Sequence, residues 1–494
     1  MSPRNADEET PLLAHEQRKK KQTPIPWAQF SIVLFLQLAE PLTSQVIYPF
    51  TPDLIRNVGI THGDETKVGH YVGMLQSLFF ATQALTVLHW SRISDHVGRK
   101  PVILTGLAGL SISMYCFGLS RTFWGLVLSR CLNGALNGNI GVIKSMMAEL
   151  TDSTNIARAY AYMPIAWSTG GTLGPIIGGM LSRPAERFPN IFGHNEFLIK
   201  YPYFLPCAVP ATFTVIAWLV TFFFLQETVK SPKSIGRMFR LRESKENLTY
   251  QNVTGIQRQP TQQSVPTKGK LAEEKEEPLP LHELMTPRVL VSAANYAFLA
   301  IVDIALRAVH PLFLSTPIEL GGLGLPPHFI GVVLSGFGIL NGIFQIFFFA
   351  KIHDRFGTKN VFIVGLAATM PVFAMFPFIN WVARAEGLSL LVWALVAGQV
   401  IISILTSLSY GCIFIYITAS SPNKASIGAT NGLCQMTVSV MRAIGPAGAN
   451  SLFALSIDPA RHYLGGHLVY YVLEVLAFVS ICVALLLPKQ VWAS

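Results

Sequence analysis

Charge is scarce in this chain. Of its 494 residues only 13% are Asp, Glu, Lys or Arg and 51% are hydrophobic, whereas soluble domains carry roughly a quarter charged residues. A mean hydropathy of +0.44 completes a composition that needs lipid to cover it. Cysteine is scarce too. The six present (Cys116, Cys131, Cys207, Cys412, Cys434, Cys482) have neither CxxC nor metal-ligand spacing. All fall inside apolar runs, where they read as small buried side chains rather than a disulfide framework. There is no Gly-x-x-x-x-Gly-Lys-Ser/Thr loop to couple ATP, no His/Cys cluster to hold a metal and no nucleophile elbow. These absences argue against an ATP-driven pump and against an enzyme, and no cofactor or metal is expected.

What is abundant is apolar sequence in long runs. A helix rises 1.5 Å per residue and needs about 20 residues to cross a ~30 Å hydrocarbon core. Twelve runs qualify: 27–50, 69–90, 101–119, 123–148, 158–182, 201–225, 289–314, 328–350, 360–381, 388–418, 425–455 and 464–487. The expected fold is an all-α polytopic membrane protein of 12 transmembrane helices in two six-helix bundles, 27–225 and 289–487. Between them, residues 226–288 run from Lys/Arg-rich through Gln/Thr-rich to Glu-rich sequence, a composition that cannot bury a core. Tails of 1–26 and 488–494 complete the chain. The first run is not a cleavable signal, because a charged stretch precedes it and further spans follow.

Lys and Arg concentrate on cytoplasmic flanks. With both termini inside, 24 of the 37 fall on cytoplasmic segments, 8 on external loops and 5 within spans; the opposite orientation inverts that ratio. The net charge of +10 is therefore a topology signal, with Arg18 to Lys21 available to anionic lipid, and no nucleic-acid partner is expected. The acceptor patterns at Asn247 and Asn252 lie in the cytoplasmic linker and should stay unmodified. Glu8-Glu-Thr-Pro-Leu12-Leu13 resembles an acidic dileucine sorting signal, which points to a sorting adaptor at Leu12 and Leu13 and to a vacuolar or endosomal membrane. The expected state is a monomer in the bilayer.

The halves echo each other. Ser91-Arg-Ile-Ser-Asp95-His-Val-Gly98-Arg99-Lys100 returns as Lys351-Ile-His-Asp354-Arg-Phe-Gly357-Thr-Lys359, Tyr48-Pro49 as His310-Pro311, and Gly174-Pro175 as Gly445-Pro446. The common order of these echoes indicates duplication, and duplicated transporters bind substrate and coupling ions near the bilayer midplane between the repeats.

Charge within a membrane helix must face a cavity or a partner. Glu40 and Asp303 lie at matching depths in the two halves, and a carboxylate kept from water there can take up and release protons near neutral pH. Asp303 has Arg307 one turn away, which can neutralise it instead. On the fourth span Arg130, Asn133, Asn137, Gly141 and Lys144 recur at helical spacing and form one polar stripe, which must face protein or water. Arg130 could hold a carboxylate or tune a neighbouring acid, and Lys144 can snorkel. Arg442 and Glu474 read as a structural pair. Gln76, Gln83, Gln399, Ser403 and Tyr410 could bond a cargo or pack helices. On the fifth span Gly170, Gly174 and Gly178 at four-residue spacing, with Gly171, Pro175 and Gly179, allow close helix approach and a pivot. In the first charged loop Asp95 can cap a neighbouring helix and Arg99 can hold a carboxylate, which would latch one conformation.

These residues resemble the major facilitator superfamily, in its twelve-span drug:proton antiporter branch, over residues 27–487. The loop pattern Gly-x-x-x-Asp-x-x-Gly-Arg-Lys is matched at Asp95, Gly98, Arg99 and Lys100, with Ser91 in place of the first glycine. The second copy keeps Asp354 and Gly357 but has Thr358 where the arginine belongs. Arg130 and Gly134 match the fourth-span arginine motif, and Gly174, Pro175, Gly178 and Gly179 match the fifth-span antiporter motif. The runs Glu40 to Phe50 and Arg130 to Asn139 further resemble fungal relatives of the plant zinc-induced facilitator-like carriers. The resemblance implies alternating access, protons exchanged for a small organic solute, and export or organelle loading. A facilitative carrier whose carboxylates bind a cationic cargo, and a receptor or scaffold signalling through the linker, are the other readings the residues leave open.

Overall fold

The computed structural model describes residues 23–151, 155–228, 281–423, 426–458 and 463–492, and no strand occurs among them. The dileucine pattern at Leu12 and Leu13 and most of the linker lie outside the described residues, as does the side chain of Asp95. The helices fall into twelve spans in chain order. Span 1 is Trp27–Gln37 with Ala39–Gln45, span 2 Glu65–Val97, span 3 Arg99–Leu119, span 4 Phe123–Leu136 with Asn139–Leu150, span 5 Ile156–Leu181 and span 6 Phe204–Phe224. Span 7 is Pro287–Ser315, span 8 Pro327–Phe356, span 9 Thr358–Ala367 with Thr369–Glu386, span 10 Leu390–Ile404 with Thr406–Ser420, span 11 Ile427–Ser456 and span 12 Leu468–Ala484. Among the described residues, spans 3 and 6 to 10 are found long and apolar enough to cross a membrane by length and composition alone.

Spans 1 and 4 depart from the uninterrupted helices the sequence predicts. Pro41 has no N–H to give the Gln37 carbonyl, and span 1 breaks at Leu38. In span 4 the Trp90 indole N–H donates to the Ala135 carbonyl at 2.8 Å, the acceptor that Asn139 would use in a continuous helix. A Cβ at Gly138 would also strike the Trp90 ring. The expected single stripe from Arg130 to Lys144 is therefore two short faces that meet at Asn137.

The chain turns directly from span 2 into span 3 at Gly98 (φ 117°) and from span 8 into span 9 at Gly357 (φ 78°), backbone angles that a side chain disfavours. Both glycines of the repeated loop serve the same turn. Of the cysteines, Cys116 and Cys482 are exposed and Cys131 is half-buried rather than buried, a correction to the reading above.

The first six and last six spans meet along two seams, span 2 with span 11 and span 5 with span 8. Lipid is as apolar as leucine, so close packing of small residues holds such seams. A Cβ on Gly73 would lie 2.6 Å from the Pro446 carbonyl and 2.9 Å from the Asn450 Cβ. One on Gly331 would strike the Pro175 carbonyl. The two Gly-Pro echoes thus occupy equivalent places, each proline carbonyl facing a glycine of the opposite half. Among the described residues four hydrogen bonds join the halves: Arg56 to the Ser315 carbonyl at 3.1 Å, His70 to Ser451 at 3.0 Å, Ala447 N–H to Ser77 at 2.8 Å and Ser168 to the Gly338 carbonyl at 3.2 Å. They lie at the level of Glu40 or toward the side carrying the 182–203 loop. We call this the loop side and the opposite one the terminal side.

Candidate functional site

Glu40 sits on the short helix created by the Pro41 break. Span 5 seats that helix: a Cβ on Gly170 would be 2.6 Å from the Pro41 Cβ, one on Gly174 2.8 Å from the Gln45 Cβ, and one on Gly178 would strike the Val46 carbonyl. The opposite glycine face, Gly171 with Gly179, meets span 8 at Gly338 and Gly331. The glycine-rich segment therefore positions the Glu40 helix with one face and forms a seam with the other.

The Glu40 carboxylate accepts from the Asn137 amide at 3.0 Å and forms no ion pair among the described residues. Gln83 faces it, and the cations whose fields reach it are Arg442 and Lys144. In the other half Asp303 is differently placed. It accepts from Arg307 Nε at 2.9 Å and from the Tyr410 hydroxyl at 2.8 Å, and Arg307 lies over the Phe337 ring. Matching depth in the sequence thus corresponds to unlike chemistry: an acid held by neutral amides faces an acid already neutralised.

Arg130 is buried and stacks on the Phe79 ring, 4.6 Å from its centroid. A Cβ at Gly134 would strike the Phe79 carbonyl, so this glycine lets span 4 approach span 2 closely enough for the stack. The groups in electrostatic reach of Arg130 are Tyr48, Cys131 and Cys207, not Glu40, and the expectation that it tunes that acid is corrected: the Phe79 stack directs it elsewhere. Its Nε and Nη1 have no hydrogen-bond partner, nor do the oxygens of Asn133 and Asn137 or the Gln83 amide nitrogen. Buried polar atoms without partners are costly, so this group is suited to a polar guest. Tyr48, which sequence reasoning passed over, lies within electrostatic reach of Arg130, Arg307, Asp303 and Arg442.

Arg442 and Glu474 do not pair. Arg442 faces Tyr410, Tyr296 and Asp303, whereas Glu474 faces the Ala374 backbone. Gln399 and Ser403 spend their donors on the Val372 and Val400 carbonyls, so of the three neutral residues on span 10 only Tyr410 joins the site.

On the terminal side Arg99 is 7% exposed and grips Glu149 through Nε at 3.2 Å and Nη2 at 2.9 Å, with Nη1 on Ser94 at 2.6 Å. The Glu227 carboxylate accepts from the Arg99 and Lys100 backbone N–H groups at 2.9 and 3.0 Å, capping span 3 where partial positive charge gathers. Thr228 in turn bonds Glu149. Residues 226–228, read from sequence as linker, are thus tied to the first half. Neither acid was assigned to the latch, although each stands at a helix end facing the basic turn. The second copy is not a latch: Asp354 is exposed and touches His353, and Lys359 caps span 12 at the Leu485 carbonyl, 2.8 Å away.

The sequence and fold agree with known proteins. The chain is 29% identical over 472 residues to the major facilitator-type transporter psiT2 of Psilocybe cyanescens, covering 92% of this chain and 89% of that one. It is 29% identical over 470 residues to the protein ZINC INDUCED FACILITATOR 1 of Arabidopsis thaliana, covering 94% and 92%. The crystal structure of a D-xylose-proton symporter superposes with a TM-score of 0.66 at 12% identity, covering 94% of this chain and 99% of that one. Residues 33–446 match the family model, and the chain belongs to the Major Facilitator Superfamily, a family of membrane transporters.

Proposed function

We propose that this transporter exchanges protons for a small organic solute by alternating access between two six-helix bundles, with Glu40 as the proton carrier. The observation that carries this is the contrast at the site: Glu40 is held by the neutral Asn137 amide, whereas Asp303 is fixed by Arg307. A carboxylate without a fixed cation changes protonation state far more readily than one inside an ion pair. The orphaned amides of Asn137 and Gln83 near Glu40, with the Arg130 guanidinium further along span 4, supply polar contacts for the solute. The distribution of Lys and Arg supports cytoplasmic termini, and the Leu12–Leu13 pattern supports a vacuolar or endosomal membrane, which a fluorescent tag would locate.

The Arg99–Glu149 pair, with the Glu227 cap, holds spans 2, 3 and 4 together on the terminal side. Arg99→Ala is expected to slow exchange roughly tenfold while the solute still binds, the outcome of breaking a largely buried ion pair that one state needs; loss of binding with normal turnover of bound solute would refute the latch.

The test of the exchange is transport in proteoliposomes, using the solute whose level differs most between null and overexpressing cells. A pH gradient opposed to solute flux should accelerate it several-fold. A carrier without coupling, the other reading the site allows, would run at the same rate with or without the gradient.

A further inference from the structure

The break in span 4 lets one helix make two distant contacts at once. At its middle the Asn137 amide donates to Glu40 at 3.0 Å. At its terminal-side end Glu149 accepts from Arg99 at 3.2 and 2.9 Å and from the Thr228 hydroxyl. Between these contacts Asn137 leaves helical geometry, with φ −82° and ψ 64°, and a second half-helix begins at Asn139. Returning that ψ to the helical value would swing everything after Asn137 by about 100° relative to everything before it, and one of the two contacts would be lost.

Span 4 contains no proline, so its own backbone does not forbid closure. Its neighbours hold it open. Trp90 of span 2 donates from its indole N–H to the Ala135 carbonyl at 2.8 Å, the acceptor that the Asn139 N–H would need. The same ring fills the space over Gly138, where a Cβ would lie 2.3 Å from the Trp90 Cβ. On another side Gly106 of span 3 receives the Asn139 side chain, which a Cβ there would strike.

We propose that Trp90 is a positioning residue for the site: its indole N–H, by occupying the Ala135 carbonyl, keeps span 4 broken and so keeps Asn137 on Glu40 while Glu149 stays on Arg99. The inference deepens the reading of Glu40 as the proton carrier and rests on it. Which contact yields when the indole N–H is removed follows from their strengths. A buried carbonyl left without a donor is costly, so the Asn139 N–H takes it and the helix closes. Glu149 is held by two bonds from a guanidinium and one from a hydroxyl, Glu40 by one bond from a neutral amide. Bonds within ion pairs are the stronger kind, so the Asn137 end gives way. A ring that only filled space over Gly138 would have no such effect when replaced by another ring.

The test needs no solute. Trp90→Phe keeps an aromatic ring and removes the donor. In the purified full-length protein in nanodiscs, difference infrared spectra between about pH 5 and about pH 9 should show the Glu40 carboxyl band at higher wavenumber than in the unsubstituted protein, because its carbonyl has lost the Asn137 amide. Asn137→Leu should give the same shift, and the two substitutions together no more than either alone, the signature of a shared interaction. Hydrogen–deuterium exchange of the Asn139 amide, which starts a half-helix and so lacks an intrahelical acceptor, should slow in Trp90→Phe on the order of fivefold, the worth of one hydrogen bond. It should be unchanged in Asn137→Leu. Asn139→Pro has no N–H to close the helix, and proline suits the first residue of one; alone it should leave the band in place, and added to Trp90→Phe it should bring the band back. An unmoved band in Trp90→Phe, whether or not Asn139 becomes protected, would overturn the inference and leave Glu40 as the carrier. So would a shifted band that Asn139→Pro, silent by itself, fails to restore. No titrating band in the unsubstituted protein, or one that survives Glu40→Gln, would remove the proton carrier and this inference with it.

Discussion

Glu40→Gln is expected to leave the protein folded and still able to bind solute, but to make transport indifferent to a pH gradient. The substitution keeps shape and hydrogen-bonding capacity, so the bond with Asn137 can be remade in either amide orientation. What it removes is the acid of the site that an amide rather than an arginine holds. A permanently neutral group there mimics the protonated state, and gradient-driven exchange should fall by about two orders of magnitude, because proton transfer by a positioned group is typically worth that much or more. Asp303→Asn should behave differently. It breaks the pair with Arg307 and leaves a half-buried guanidinium uncompensated, so its first effect is lower thermal stability. Thermal unfolding and gradient-driven uptake in the same preparations separate the two: if Asp303→Asn is the stable, uncoupled variant and Glu40→Gln the unstable one, the assignments are reversed.

Gly73→Val is expected to stop exchange by a different route. The glycine contributes no side chain to its own half, and its open face lies against the Pro446 carbonyl and the Asn450 Cβ, at 2.6 and 2.9 Å for an added Cβ. A valine there penalises only the shut seam, so each half should fold normally. An overpacking cost of about 1–3 kcal/mol moves the equilibrium toward the loop-side-open state by roughly ten- to a hundredfold. Spin-label distances across the loop side should lengthen and turnover should fall by a similar factor. Gly448→Ala, on span 11 with nothing within 4 Å of an added Cβ, is the control and should do neither. Normal turnover in Gly73→Val would mean that this seam does not need to close.

Much of this architecture is legible in the sequence, and the illegible part has physical causes. Apolar runs give the spans because lipid leaves the backbone few alternatives to helix. The repeated Gly98 and Gly357 and the repeated Gly-Pro pairs are legible because each marks a backbone need, a positive φ or a close approach, that few residues meet. Span 4 is harder, since its break depends on Trp90 of another helix reaching the Ala135 carbonyl. The same limit applies to charge. Asp303 and Arg307 are one turn apart and pair as helical spacing predicts, whereas Arg442 has partners on spans 7 and 10 that no local pattern announces. Arg130 was assigned to an acid because that is what a buried guanidinium commonly seeks, and the ring of Phe79 takes that place. Glu149 and Glu227 are 50 and 128 residues from Arg99, so the basic turn of the latch is legible in the sequence and the two acids it meets are not. The site residues Glu40, Gln83, Asn137, Lys144 and Arg442 are polar groups set in otherwise apolar spans, as expected where polar side chains in lipid are retained for function.

The most direct test of the account is the protonation of Glu40 itself. Difference infrared spectroscopy of the purified protein between about pH 5 and about pH 9 reports the carbonyl stretch of a buried protonated carboxyl. The account predicts a band that changes with pH across this range, disappears in Glu40→Gln and persists in Asp303→Asn. A band that survives Glu40→Gln, or no titrating carboxyl in the unsubstituted protein, would contradict it.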